Sequence, residues 1–187
     1  MYKNKLTVFL SILFIIMLNG CSNSKINVPN PNSKNSTSKT QIDPIDNFLS
    51  NQKFDVSKDS NKKIIYIYFP NTSNNTIKKY EVTNNGVIDV NTKTNQEFVI
   101  SLPENSIISA TWNIQNNIDN SDVKLLKKSK LKVPFKNNEK LIGINYDRRN
   151  FYFKTLKKST QAIVLTYSNK TLDNSEYFRI TINTKTN

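Results

Sequence analysis

From Lys62 onward the apolar residues of this chain recur at every second position, in short runs separated by polar turns. A strand satisfies that pattern and a helix does not. Residues 97–102 place Phe98, Ile100 and Leu102 on one face, and 108–114 do the same with Ile108, Ala110, Trp112 and Ile114. Residues 161–168 align Ile163, Leu165 and Tyr167, and 176–183 align Phe178, Ile180 and Ile182. The runs 141–144 and 150–156 add further strands, the latter with Phe151 and Phe153. Residues 63–69 (KIIYIYF) are apolar on both faces, as a strand covered on both sides would be. Residues 77–83 and 87–90 flank Asn84-Asn85-Gly86, and Asn-Gly supplies the positive φ angles of a tight hairpin. About eight short strands in roughly 125 residues predict an all-β fold, an immunoglobulin-like antiparallel β-sandwich over residues 62–187.

One stretch departs from clean alternation. Residues 122–136 (DVKLLKKSKLKVPFK) carry Lys124, Lys127, Lys128, Lys130 and Lys132 among isolated aliphatics, which reads as a helical turn leading into an edge strand. These lysines form either a basic contact surface or the charged blunting that keeps an exposed edge from pairing with other chains.

The amino-terminal part has a different character. Lys3 and Lys5 precede an apolar run from Leu6 to Met17, and Leu18-Asn19-Gly20-Cys21 closes it. The run is too short to span a bilayer and has the layout of a secretory signal. It resembles the bacterial lipobox, which implies removal of residues 1–20, lipid on Cys21 and a protein held at the extracytoplasmic face of the cell membrane. Several acyl chains anchor durably where one would not. Residues 21–61, rich in Ser, Asn, Lys, Pro and Thr, are expected to be a flexible tether carrying no packed structure beyond a short turn near Phe48 and Leu49.

Composition removes whole classes of function. There is no histidine, and Cys21 is the single cysteine. Ser-His and Cys-His nucleophilic pairs and His-based zinc sites are therefore unavailable. The acid pair Asp43 and Asp46 lies in the expected tether, where nothing would hold a catalytic geometry. Asp119 and Asp122 occupy a polar loop without calcium-loop spacing. No enzyme, cofactor or metal site is expected. The formal charge of +13 becomes +11 once Lys3 and Lys5 leave with the signal. A cationic surface near a membrane attracts anionic headgroups or wall polymers. Nucleic acid is not an expected partner, because the interleaved aromatics and lysines fit strand alternation better than a stacking platform.

Residues 98–112 (FVISLPENSIISATW) carry a family resemblance. The run resembles the first signature of chagasin-like inhibitors of papain-type cysteine proteases, in which an apolar strand ends in Leu-Pro-x-Asn-Pro-Thr-Thr-Gly and a Trp follows. Leu102, Pro103, Asn105 and Trp112 stand at that spacing. Downstream, 150–156 (NFYFKTL), 162–167 (AIVLTY) and 177–182 (YFRITI) resemble the family's later strands. The resemblance implies three inhibitory loops at one end of a sandwich. These would be Asn105, Ser106, Ile107, Ile108 and Ser109; then Asn145, Tyr146, Asp147, Arg148 and Arg149; then Ser168, Asn169, Lys170, Thr171 and Leu172. All three depart from the family's composition. Ser106-Ile107-Ile108-Ser109 replaces Pro-Thr-Thr-Gly, the second loop lacks its later glycines, and the third lacks Arg-Pro-Trp. Two functions follow as expectations: a membrane-anchored inhibitor that occludes the cleft of a papain-like cysteine protease, or an envelope lipoprotein that uses the same sandwich to bind an anionic wall polymer.

Overall fold

The computed structural model describes residues 43–70, 75–105, 108–133, 147–169 and 176–187. The signal, Cys21, the first part of the tether and the strand expected at 141–144 lie outside them. Among the described residues, nine strands follow one short helix: α1 (Pro44–Ser50), β1 (Lys62–Phe69), β2 (Thr76–Thr83), β3 (Gly86–Thr92), β4 (Glu97–Glu104), β5 (Ala110–Ile114), β6 (Val123–Leu131), β7 (Asp147–Thr155), β8 (Thr160–Asn169) and β9 (Glu176–Thr186). They form a five-stranded sheet, ordered β2-β1-β4-β7-β6, and a four-stranded sheet, ordered β3-β9-β8-β5. The period-two faces meet between the sheets. Ile65, Ile67, Phe98, Ile100, Leu102, Phe151 and Phe153 from the first sheet pack with Ile88, Trp112, Ile163, Leu165, Phe178, Ile180 and Ile182 from the second.

The Asn84-Asn85-Gly86 turn does not close a hairpin. β2 pairs with β1, whereas β3 crosses to the other sheet and runs parallel to β9, so the sandwich is mixed and not wholly antiparallel. The turn chemistry is as expected, with Asn85 at φ 60°. Its backbone, however, is engaged by β9: Asn85 N donates to Arg179 O at 2.8 Å and Arg179 N donates to Asn84 Oδ1 at 2.7 Å. Turn residues specify a local bend, but burial decides which strands pair. Crossing over puts Val82, Ile88 and Val90 into one inter-sheet core. Gly86 is required by close approach, since a Cβ there would sit 2.0 Å from Val82 Cγ1 and 2.8 Å from Thr83 O.

The segment before β1 is also packed, contrary to a tether running to residue 61. Asp43 caps α1, its Oδ1 accepting from Ile45 N at 2.8 Å, and Pro44 stands in the first turn. A helix of one or two turns does not persist alone. Tertiary contacts hold this one: Leu49 is 1% exposed and packs with Tyr68, Val99 and Tyr152 on the outer face of the five-stranded sheet. Phe48 stacks on Tyr68 with centroids 4.7 Å apart, and Phe54 meets Tyr66 edge-on at 5.1 Å. This covering explains why β1 is apolar on both faces. Leu49→Ala is expected to lower unfolding stability by about 2–4 kcal/mol, read as a shift of the urea midpoint. An unchanged midpoint would mean that α1 is not part of the cooperative unit.

Asp43 and Asp46 are held in place. Lys127 Nζ donates to Asp43 Oδ2 at 2.8 Å and to Asp46 Oδ2 at 3.1 Å, and Asp46 Oδ1 accepts from the hydroxyls of Tyr152 and Ser129. The hydrogen bond from Lys127 keeps the Asp43 carboxyl below its usual range. Burial opposes the charge on Lys127, but its bonds to the two aspartates outweigh that and raise its pKa. Burial, then the bond to Asp46, raises the Tyr152 phenol.

Candidate functional site

The strand registers bring the strand ends that flank the predicted loops to one end of the sandwich. Glu104, the last residue of β4, lies opposite Asp147, the first of β7, and Leu131 at the end of β6 lies opposite Arg148. In the other sheet, Ala110 at the start of β5 lies opposite Asn169 at the end of β8. The β4–β5, β6–β7 and β8–β9 connections therefore leave from the same edge of the molecule.

The base of the first connection is pinned from three directions. Trp112 is buried, and its Nε1 donates to Pro103 O at 2.7 Å. Tyr167 pairs with Trp112 across β5 and β8, with rings 5.3 Å apart, and its hydroxyl accepts from Asn105 N at 3.1 Å. Glu104, 2% exposed, receives Arg149 in a two-pronged contact, Nε at 2.9 Å and Nη2 at 2.8 Å, as well as the Thr111 hydroxyl at 3.0 Å. Lys130 Nζ lies 3.2 Å from Glu104 Oε1 and 3.6 Å from Asp147 Oδ2. Burial alone would raise the Glu104 carboxyl, but the hydrogen bond and charge of Arg149, aided by Thr111 and Lys130, hold it below its ordinary value. Ile108, two residues before β5, is 43% exposed, so it belongs to the connection and not to the buried face of the following strand.

Several predicted loop residues are strand residues instead. Asp147, Arg148 and Arg149 open β7, and Ser168 and Asn169 close β8. Alternation explains the arginines. Arg149 shares the inward parity of Phe151 and Phe153 and so meets Glu104, whereas Arg148 shares the outward parity of Asn150 and Tyr152 and is buried under the 54–64 segment. Ser106, Ile107, Asn145, Tyr146, Lys170, Thr171 and Leu172 lie outside the described residues.

Glu104, Thr111 and Tyr167 belong to this site without having been assigned to it from the sequence, where Tyr167 stands only as an inward strand residue. Glu104 was legible in principle, since it occupies the next inward position after Phe98, Ile100 and Leu102 and a carboxylate buried there must be paired.

The lysine-rich segment is an edge strand from Val123 onward, with a bulge between Leu125 and Lys127. Before it, Asp119 O accepts from Asp122 N at 3.0 Å and from Val123 N at 3.1 Å, so a single hydrogen-bonded turn leads into the strand, and no helix is present among the described residues of 122–133. Of the proposed basic surface, Lys127 and Lys130 are committed to internal ion pairs. Lys124, Lys128 and Lys132 remain exposed.

Comparison with known proteins bears on this end of the fold. Residues 91–183 match the family model of the chagasin family peptidase inhibitor I42. The chain is also similar to the crystal structure of a cysteine protease inhibitor from Entamoeba histolytica, at 19% identity and a TM-score of 0.44, covering 56% of this chain and 88% of that one. No curated protein matches. The family match runs from the end of β3 into β9 and contains Leu102, Pro103, Asn105 and Trp112 around the pinned connection, so the chain carries a chagasin-like domain, from a family of peptidase inhibitors.

Proposed function

We propose that this domain inhibits a papain-type cysteine protease by inserting the β4–β5 connection into the active-site cleft, with the β6–β7 and β8–β9 connections flanking it. In the same reading, lipid on Cys21 holds the protein at the extracytoplasmic face of the cell membrane. The observation that carries the occlusion mechanism is the pinned base. Tyr167, Trp112 and Glu104 fix Asn105, Pro103 and the ends of both flanking strands, so little freedom is lost there on binding. Preorganisation of this kind raises affinity by lowering the ordering cost. The half-exposed Ile108 supplies apolar surface on the connection, and no covalent chemistry is involved.

Replacing residues 106–109 with a Gly-Ser segment leaves Asn105 and the base in place. The expected result is an unchanged unfolding midpoint with papain binding weakened by about a hundredfold or more, as for loss of a central interface cluster. Equal papain affinity for the replaced and native proteins would remove the first connection from the mechanism.

A further inference from the structure

We propose that the cavity between the 54–63 segment and the first connection binds a small apolar carboxylate, whose anionic group pairs with Arg148. The cavity has a volume of about 280 Å³, and Val56, Ile64, Pro103, Ile108, Tyr167 and Arg148 are among the residues that line it. That is near the lower end for ligand pockets and suits a molecule of roughly a dozen non-hydrogen atoms.

Arg148 is the reason to expect an anion. Arg148 is 1% exposed, and its guanidinium lies 5.0 Å from the Phe54 ring centre and 5.1 Å from that of Tyr66 and binds only neutral acceptors. Nε donates to Ser101 Oγ at 3.1 Å, and Nη2 donates to Ser101 O at 2.6 Å and Ile64 O at 3.1 Å. Among the described residues, no carboxylate pairs with it and Nη1 has no acceptor. A buried charge left without a counter-ion is costly, so such sites are normally paired. Burial lowers the guanidinium pKa to about 9, which still leaves it charged at neutral pH.

The acids around the cavity are already occupied. Asp55 pairs with Lys79 at 2.7 Å, Asp59 accepts from Asn61 N at 2.9 Å, and Glu104 is held by Arg149. These carboxylates would repel a dianion such as phosphate, whereas a monoanion with an apolar body fits the one guanidinium nitrogen left without an acceptor and the apolar part of the wall formed by Val56, Ile64, Pro103 and Ile108. Both a free small carboxylate and the C-terminal residue of a peptide offer that chemistry. The cavity shares Pro103, Asn105, Ile108 and Tyr167 with the first connection, but the Arg148 pairing argued for it does not depend on protease inhibition.

The test is calorimetric titration of the full-length protein at neutral pH with N-acetyl-leucine and with N-acetyl-leucinamide. The acid is expected to bind at least about tenfold more tightly than the amide, the scale of a hydrogen bond to a charged group. Arg148→Met should bring the acid to the level of the amide. Should that variant fail to fold, the acid-to-amide ratio on the native protein decides alone. A tripeptide ending in leucine, with a free or amidated terminus, separates the two sources. A free-terminus preference equal to that of N-acetyl-leucine assigns the site to peptide C-termini, and binding by N-acetyl-leucine alone assigns it to small carboxylates. Equal affinity for acid and amide, or no heat from either at about 10 mM, overturns the proposal.

Discussion

Glu104→Ala is expected to destabilise the domain by about 3–5 kcal/mol, because it leaves Arg149 without its counter-charge inside the fold. The loss should appear as a lowered urea midpoint with an unchanged slope. The same carboxylate gives a pH signature. Its pKa in the folded protein is below the ordinary value of 4.5, so its stabilisation is fully present above that value and disappears as pH falls through the folded pKa. Stability of the native protein should therefore fall steeply from about pH 5 towards pH 3, and Glu104→Gln should flatten that decline while costing less at neutral pH than the alanine variant. An alanine variant as stable as the native protein would mean that the Arg149 contact is solvated and does not organise this end of the fold.

Trp112→Ala should cost a similar amount, about 3–5 kcal/mol, from the volume removed from the inter-sheet core. Trp112→Phe separates packing from positioning. It retains much of the ring contact with Tyr167 but deletes the 2.7 Å hydrogen bond to Pro103 O. A stability loss of about 1 kcal/mol is expected from the lost bond. If the indole positions the first connection, protease affinity should fall further than stability does, measured as a dissociation constant well below the unfolding temperature. Affinity that tracks stability in both variants would give Trp112 a packing role only.

Most of the strand content was legible because burial on one face imposes a period of two, and that signal survives in any sheet partner. Partner choice is not local. Asn84-Asn85-Gly86 bends the chain as its residues require, yet the pairing of β3 with β9 rather than β2 depends on residues some ninety positions later. Helix α1 is legible in the sequence only as a short turn near Phe48 and Leu49, because the composition around it is polar. Its cap, Asp43-Pro44, is visible in the sequence, but its stability comes from a sheet face that composition cannot reveal. At the candidate site, Pro103, Asn105 and Trp112 are readable through family spacing, and the same resemblance puts Arg148 and Arg149 in a loop although both lie in β7. Parity along β7 places one inward against Glu104 and the other outward beneath Phe54. A buried Glu at the end of an apolar alternation was the available clue to both.

The most direct test of the inhibitory account is the kinetic pattern with papain, using residues 43–187 so that α1 remains on its sheet. Occlusion of the cleft predicts competition with substrate: the apparent KM rises with inhibitor concentration, kcat is unchanged, and the inhibition constant lies at or below about 1 μM. A fall in kcat at constant KM, or full activity at high concentrations of the domain, would contradict it.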